Sequence, residues 1–213
     1  MAGYDIMVVK YNFLDWCKMF IIRPLTPVDV PCLTQIDARF TSETILDVIK
    51  TGAGLEISWR LVERRLPAPE RTGRDYTLCD SDLDSLSDRL AQNDGLYLVA
   101  EINNRIAGLL DLQYESWNNT AWLWNLLVDR TYRRQGLGRR LFQAGVSWAR
   151  RRGARAIIIE TQSNNAPACR FYAAMGCELV GLNDFYYSNS DLELGEVALF
   201  WAYRLDDGAP GAP

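Results

Sequence analysis

The 213-residue sequence contains no histidine. Without an imidazole, the protein cannot form a Ser-His-Asp or Cys-His nucleophile, a histidine-ligated metal site or an imidazole acid or base. Any proton transfer must therefore use a carboxylate, a tyrosine, a cysteine or water.

Cysteine is sparse and its five positions follow no ligand pattern. The count is odd and no C-x-x-C pair occurs, so the sequence favours neither a zinc site nor a disulfide framework. We expect reduced thiols, a cytoplasmic location and no metal. The cysteines are Cys17, Cys32, Cys79, Cys169 and Cys177.

Long hydrophobic runs are also missing. The apolar N-terminal stretch is interrupted by Asp5, Lys10, Asp15 and Lys18, so it fits neither a signal peptide nor a membrane span, and we expect no membrane partner. With 48% apolar and 11% aromatic residues, the chain has enough material for one core. We predict an N-terminal extension over residues 1–17, one domain over 18–205 and a disordered tail over 206–213.

Positive charge is in short supply overall, since the formal net charge is −4, and this argues against a nucleic-acid partner. The window 129–155 is the exception, with nine arginines against one acid. Only three of the 23 basic residues are lysines. Because arginine offers a planar fork for phosphate oxygens, this window favours phosphate recognition. For Arg150, Arg151 and Arg152, a solvated helix face is the alternative.

Hydrophobic periodicity predicts an α/β fold, a mixed and twisted sheet with helices on both faces. The predicted strands cover residues 19–23, 54–63, 96–100, 106–114, 121–128, 156–159, 178–182 and 197–204. The predicted helices cover residues 27–39, 43–49, 82–90 and 166–175, and a further helix begins at Leu137 with Leu141, Ala144 or Gly145, and Trp148 on one face.

A glycine-containing segment, Arg133-Arg134-Gln135-Gly136-Leu137-Gly138, lies between a predicted strand and a predicted helix. Two glycines allow backbone N–H groups to approach a phosphate closely, and a helix N-terminus presents unpaired donors with partial positive charge. The segment is therefore a candidate diphosphate cradle. A plain glycine turn between strand and helix is the alternative, and the G-K-[ST] ending of a Walker loop is absent.

This segment and the order of elements resemble the GCN5-related N-acetyltransferases (GNAT superfamily). The resemblance implies acetyl-CoA as co-substrate, a sheet of about seven strands, and a gap where the fourth and fifth strands splay apart. The implied pantetheine contacts are Asn164 and the backbone of Leu126, Leu127 and Val128; otherwise Asn164 is a turn or cap residue and the other three are core. The implied pyrophosphate contacts are Arg133, Arg134, Gln135, Gly136, Leu137, Gly138 and Arg139.

Four further stretches are similar to the streptothricin acetyltransferases, and they occur in that family's order. They are residues 40–44 (FTSET), 116–118 (SWN), 160–169 (ETQSNNAPAC) and 171–176 (FYAAMG). The resemblance implies direct acetyl transfer, in a ternary complex, from acetyl-CoA to an amine of the β-lysine part of streptothricin, which inactivates the antibiotic. Three alternatives stay open: an aminoglycoside or other amine acceptor, a peptide acceptor, and an acetyl-CoA-binding regulator without catalysis. A homodimer is also open.

Amide formation needs a neutral amine, and holding a lysine-like ammonium neutral at pH 7 costs about 4.6 kcal/mol. Candidate proton acceptors are Asp111, Glu115 and Glu160, of which Glu160 matches the family position; a structural carboxylate is its alternative. Streptothricin acetyltransferases commonly carry a glutamate where this chain has Trp124, so Asp111 or Glu160 acting through water is the fallback. Tyr172 matches the GNAT tyrosine that protonates the CoA thiolate, with a core tyrosine as the alternative.

Acidic side chains that precede the predicted strand 96–100, together with aromatic side chains elsewhere in the chain, are candidates for the acceptor cleft. A polycationic substrate would be attracted to the acids, although a solvated helix face explains any one of them equally well. Aromatic residues are more often core. The predicted acceptor contacts are Asp80, Asp82, Tyr114, Trp117, Trp124 and Tyr186.

Overall fold

The computed structural model describes residues 20–70 and 77–205, and for residues 69 and 70 it describes the backbone. The predicted extension over residues 1–17 and tail over 206–213 lie outside the described residues. The strands are β1 (Ile21–Pro24), β2 (Ser42–Thr51), β3 (Ser58–Glu70), β4 (Gly95–Ile102), β5 (Arg105–Glu115), β6 (Thr120–Val128), β7 (Ala156–Gln162), β8 (Glu178–Asn183) and β9 (Ala198–Arg204). The helices are α1 (Asp80–Gln92), α2 (Leu137–Arg152), α3 (Ala166–Ala174) and α4 (Asp191–Leu194), with 3₁₀ segments at Pro27–Gln35 and Arg130–Tyr132.

Seven strands form one sheet in the order β1-β4-β5-β6-β7-β9-β8, and β2 and β3 form a separate antiparallel pair. The pairs β1/β4, β4/β5, β5/β6 and β8/β9 are antiparallel. The predicted mixed α/β fold, with helices flanking a seven-stranded sheet, is confirmed.

The chain divides into two compact units. Of the described residues, the first comprises 20–39 and 77–157. In it, α2 packs on β4, β5 and β6 through the predicted helix face, where Leu137 and Leu141 are buried. Gly145 on the same face allows close packing, because a Cβ there would lie 3.3 Å from a Leu112 methyl group. The periodicity of this helix thus predicted its buried face correctly.

Of the described residues, the second unit comprises 40–70 and 158–205, and the boundary between the units falls within β7. Within it, the buried Trp201 indole donates to Thr161 Oγ1 at 2.9 Å, which ties β9 to β7. Backbone N–H of Leu46 donates to the Ser163 carbonyl at 2.9 Å, which ties β2 to the end of β7. In the described part of the chain, no helix combines the length and the apolar character of a membrane span.

The helix predicted over residues 43–49 is wrong, because this segment is part of β2. Four of its residues are β-branched, at Thr44, Ile45, Val48 and Ile49, and such side chains favour an extended backbone. The strand pairs with β3 in register from Thr44 opposite Arg65 to Thr51 opposite Ser58. β3 also runs to Glu70, beyond the predicted strand end at residue 63.

Candidate active site

The segment that follows β6 is anchored by Asp129, a carboxylate with only 2% of its surface exposed. Its oxygens accept backbone N–H groups of Thr131 at 2.9 Å and Asp37 at 3.1 Å. Burial alone would raise the pKa of Asp129, but these hydrogen bonds outweigh it and hold the pKa below its ordinary value. The start of the loop is therefore fixed by a charged, hydrogen-bonded residue.

Arg133 fixes the middle of the same loop from inside the fold. Its guanidinium donates to the carbonyls of Val128 at 3.0 Å, Arg39 at 2.9 Å and Ala38 at 2.6 Å. All three guanidinium nitrogens donate to main-chain carbonyls, so Arg133 braces the loop backbone. The structure thus shows Arg133 as a brace of the loop, and its contact with a pyrophosphate stays a prediction.

The turn itself has two left-handed residues, Arg134 with φ of 61° and Gly136 with φ of 82°. Gly136 is the N-cap of α2, and its carbonyl accepts the N–H of Arg140 at 3.1 Å. A helix N-terminus leaves backbone donors unpaired and carries partial positive charge. The side chains of Arg134, Gln135 and Arg139 are exposed around this turn, whereas Leu137 is buried and Gly138 is half-buried. The arrangement suits an anion.

Asp111 on β5 is fully buried and lies in an ion pair. Its oxygens accept from Arg89 of α1, with Nη2 2.6 Å from Oδ2 and Nε 3.3 Å from Oδ1. Asn125 on β6 donates to Oδ2 at 2.9 Å. These bonds keep the carboxylate engaged with neighbours in the fold and so favour a structural role for it.

Trp124 lies at a β-bulge in β6. Asp111 pairs with Asn125 and Leu112 pairs with Leu123, which leaves Trp124 without an opposite residue on β5. Bulges redirect a side chain and are frequent beside functional sites. The indole is 49% exposed, and the Arg89 guanidinium carbon lies 4.7 Å from its ring centroid. One face of the ring is thus covered by a cation while much of the side chain faces solvent.

The three residues proposed to meet the pantetheine arm follow the bulge. Leu126, Leu127 and Val128 are half-buried and pair with Leu110, Leu109 and Gly108 of β5. The pairing of these three residues with β5 is thus defined, and their contact with a cofactor stays a prediction.

The acids and aromatics predicted for the acceptor cleft lie in different places within the first unit. Asp82 caps α1, because its Oδ2 accepts the Cys79 N–H at 2.9 Å, and Asp80 is exposed at the start of this helix. Trp117 is 82% exposed in the turn between β5 and β6. The hydroxyl of Tyr114 donates to Asn119 at 2.8 Å in the same hairpin. Of the predicted acceptor contacts in this unit, only Trp124 lies beside Asp111.

In the second unit, Glu160 near the end of β7 accepts a hydrogen bond from the hydroxyl of Tyr187. Tyr187 packs edge-on against Tyr186 with ring centroids 5.1 Å apart. Burial raises the pKa of Tyr186, and the negative charge of Glu160 adds to this rise. The structure therefore brings the predicted base and one predicted acceptor contact into one cluster.

Tyr172 on α3 is buried and packs edge-on against Phe171 at 5.2 Å. Burial raises its pKa far above the ordinary value, with smaller contributions from Cys177, Cys169 and Glu160. The phenol therefore keeps its proton throughout the neutral range. Asn164, the other predicted contact in this unit, is half-buried just before the N-cap of α3, where Asn165 Oδ1 accepts the Ala168 N–H at 3.2 Å.

The sequence profile of the Acetyltransferase (GNAT) family matches residues 59–177, more than half of the chain. The chain belongs to this family. The streptothricin acetyltransferase of Escherichia coli is 29% identical over 175 residues, which are 82% of this chain and 91% of that protein. A crystal structure of nourseothricin acetyltransferase matches with a TM-score of 0.73 and 26% identity, over 88% of this chain and 99% of that one.

A Bacillus anthracis protein crystallised in complex with acetyl coenzyme A has a TM-score of 0.69 and 24% identity, over 89% of this chain and 99% of that one, which shows a shared fold. The resemblance to GNAT enzymes, and to streptothricin acetyltransferases among them, is thus confirmed, and the protein is an acetyltransferase.

Two residues of this GNAT acetyltransferase were missed from sequence. Arg89 was not singled out, and its contact with Asp111 joins residues 22 positions apart in sequence. Tyr187 is 27 residues from Glu160 in sequence, and no local pattern connects them. Within residues 20–70 and 77–205, no group of three or more Cys, Asp or Glu residues is arranged to hold a metal ion.

Proposed function

We propose that this GNAT acetyltransferase moves acetyl from acetyl-CoA to a primary amine of a cationic small molecule, the β-lysine amine of streptothricin. The observation that carries the proposal is the left-handed turn at Arg134 and Gly136 at the start of α2. The names of the relatives support the choice of acceptor.

In this proposal, the turn binds the pyrophosphate of acetyl-CoA. Backbone N–H groups at the N-terminus of α2 donate to phosphate oxygens, and the exposed Arg134 and Arg139 supply positive charge. Arg133 and Asp129 hold the turn in shape before the co-substrate arrives. The backbone of Leu126–Val128 and the side chain of Asn164 are assigned to the pantetheine arm.

The acetyl group is transferred directly. The neutral amine attacks the thioester carbonyl carbon, the carbon–sulfur bond breaks, and the amide forms. The amine proton goes to Glu160, directly or through water, and the departing thiolate takes the proton of Tyr172. Glu160 is preferred to Asp111 as the base because Arg89 and Asn125 already engage the Asp111 carboxylate. The raised pKa of Tyr172 keeps that phenol protonated until the thiolate forms.

The acceptor is held by aromatic and acidic groups. The exposed part of Trp124 offers a ring surface on which a cationic group can stack. Tyr186, 47% exposed, lies beside the Tyr187–Glu160 pair. Trp124 stands at the position where the streptothricin acetyltransferases commonly carry a glutamate. In this chain, the indole ring takes over the binding of the cationic group.

The test is a thiol-release assay with purified protein, acetyl-CoA and four amine classes: streptothricin, an aminoglycoside, a polyamine and a peptide N-terminus. We expect turnover with streptothricin at the highest kcat/KM. A higher kcat/KM for the aminoglycoside would contradict the acceptor and leave the enzyme class intact. Calorimetry with acetyl-CoA tests co-substrate binding separately, and binding without turnover on any amine would favour a non-catalytic regulator.

A further inference from the structure

Tyr187 lies on the segment between β8 and α4 and is half-buried. Its hydroxyl donates a hydrogen bond to Glu160 Oε1. A phenol that donates to a carboxylate stabilises the ionised form of that carboxylate and restricts its rotamers. The bond joins the base of the proposed reaction to the segment that also carries Tyr186, a proposed acceptor contact.

The backbone at Tyr187 is itself fixed by Asp191, which is 1% exposed. Asp191 Oδ2 accepts the N–H of Tyr186 at 2.8 Å and of Tyr187 at 3.0 Å. Its other oxygen accepts the Ser188 hydroxyl at 2.7 Å. One buried carboxylate thus holds three consecutive residues, so the turn presents the phenol from a defined backbone position.

Ring packing restricts the side chains on the same turn. Tyr186 packs edge-on against Tyr187 at 5.1 Å and against Phe200 of β9 at 5.6 Å. Edge-to-face contacts of this kind have a preferred geometry and restrict ring rotation. Asp191 fixes the backbone and Phe200 fixes the aromatic pair, so both supports of the Tyr187 hydroxyl come from the second unit itself.

We propose that Tyr187 is a positioning residue that holds Glu160 ionised and oriented to accept the proton of the acceptor amine. The inference rests on the proposed function, in which Glu160 is the base. Tyr187 keeps its own proton throughout, since it donates before, during and after the transfer. The carboxylate has further lone pairs, so the bond to Oε1 leaves it able to accept the amine proton.

Among residues 20–70 and 77–205, the charge of Glu160 helps to raise the pKa of Tyr172 and Cys169 of α3 and of Tyr186. Burial raises the pKa of each, so all three are neutral near pH 7. A change in the ionisation of Glu160 after removal of the Tyr187 hydroxyl can therefore be read without a simultaneous titration of these groups.

The experiment is the pH profile of kcat/KM for Tyr187→Phe, which removes the hydroxyl and keeps the ring. Loss of the donor destabilises the ionised carboxylate, so the acidic limb should move to higher pH by about one unit, equivalent to a tenfold effect. We expect kcat at pH 7 to fall about tenfold with KM for acetyl-CoA unchanged. The matched control is Tyr203→Phe on β9, which loses one hydroxyl elsewhere in the same unit and should keep the native profile.

Glu160→Gln and the double variant Glu160→Gln/Tyr187→Phe complete the design. If Tyr187 acts through Glu160, its substitution has no further effect in the Glu160→Gln background. Equal losses in both backgrounds overturn the inference. A native profile for Tyr187→Phe, with Glu160→Gln impaired, overturns it and leaves the proposed function standing. Full activity of Glu160→Gln overturns the roles of both residues and leaves the acetyltransferase.

A measurement without substrate separates this inference from the choice of acceptor. In protein with ¹³C-labelled glutamate carboxyl groups, the Glu160 resonance is identified by its loss in Glu160→Gln. Its titration should move to higher pH in Tyr187→Phe and stay in place in Tyr203→Phe. An unmoved titration overturns the inference whichever amine the enzyme acetylates.

Discussion

The guanidinium of Arg89 contacts both carboxylate oxygens of Asp111, at 2.6 Å and 3.3 Å, and the carboxylate has no exposed surface. Removing one partner of a buried ion pair leaves the other charge without compensation, which is costly. Such a pair holds α1 against β5, at the point where Trp124 leaves the strand ladder of β6.

Asp111→Asn should therefore lower the free energy of unfolding by about 3 kcal/mol. We expect kcat of the folded enzyme to change less than twofold, because the proposed base is Glu160. Urea unfolding and kcat measured on the same preparation check both points. Asp88→Asn, on the exposed face of α1, is the control and should change stability by less than about 0.5 kcal/mol. A large loss of kcat at native stability would instead identify Asp111 as the base.

Gly136→Ala tests the turn before α2. Gly136 has φ of 82° and open space around its missing Cβ, so the substitution adds backbone strain without a clash. The left-handed conformation costs a residue with a Cβ about 1 kcal/mol, and acetyl-CoA affinity by calorimetry should fall about fivefold.

Gly153→Ala is the matched control for this change. Gly153 caps the other end of α2 with φ of 80°, and its missing Cβ also faces open space. Both variants should lose similar thermal stability, and only Gly136→Ala should lose affinity. Equal affinities in the two variants would count against the turn as the pyrophosphate site.

Tyr172→Phe should lower kcat about tenfold or more while acetyl-CoA affinity is retained, because the thiolate must then leave without its proton donor. The raised pKa of Tyr172 means that the native donor stays protonated up to high pH. Calorimetry with acetyl-CoA and steady-state kinetics separate binding from chemistry. An unchanged kcat would remove Tyr172 from the role of acid.

Trp124→Ala should raise KM for a cationic acceptor about tenfold, because it removes a cation–π surface worth about 1–2 kcal/mol when partly desolvated. KM for acetyl-CoA serves as the internal control and should stay the same. Steady-state kinetics with each substrate varied in turn provide both values. A shift in KM for acetyl-CoA alone would show that the indole borders the co-substrate.

Asp29 contributes stability that depends on pH. Hydrogen bonds from both terminal nitrogens of Arg23, each at 2.8 Å, hold the pKa of this carboxylate far below its ordinary value, with further bonds from Thr26. A carboxylate whose folded pKa is lowered stabilises the protein above its unfolded pKa of about 3.9, and this contribution is lost as pH falls.

We therefore expect the Tm to fall between pH 5 and pH 3, and to fall less in Asp29→Asn than in the native protein. Thermal unfolding followed by circular dichroism across this range measures the difference. Asp84→Asn, exposed on α1, is the control and should follow the native curve. Parallel curves for Asp29→Asn and native protein would contradict this role.

Most of the fold was predictable from local sequence patterns, that is, from hydrophobic spacing and turn residues. The face of α2 with Leu137, Leu141 and Gly145 was visible as helical spacing, and burial of that face is a direct consequence. The turn before α2 was visible as a glycine-containing segment between a predicted strand and a predicted helix, and Gly136 in it has φ of 82°. The segment 43–49 failed because a short run with mixed periodicity is settled by its partner strand, and the pairing with β3 is not local.

The site was less predictable than the fold. The motif identified Arg133, but its partners are the carbonyls of Ala38 and Arg39, which no side-chain pattern marks. Asp82 was assigned to the acceptor, whereas in the structure its carboxylate accepts the Cys79 N–H at the start of α1. The bond from Tyr187 to Glu160 depends on strand β7 and the segment between β8 and α4, which folding brings together.

The contacts of Arg133 have a consequence for mutational drift. Its guanidinium reaches main-chain oxygens 94 and 95 residues earlier, and a carbonyl oxygen is present whichever amino acid occupies the position. Residues 38 and 39 can thus change identity without loss of the brace, while Arg133 cannot be replaced by lysine, whose single ammonium lacks the planar fork. Sequence variation at those two positions would therefore conceal a constraint on their backbone, which must still place its carbonyls where Arg133 can reach them.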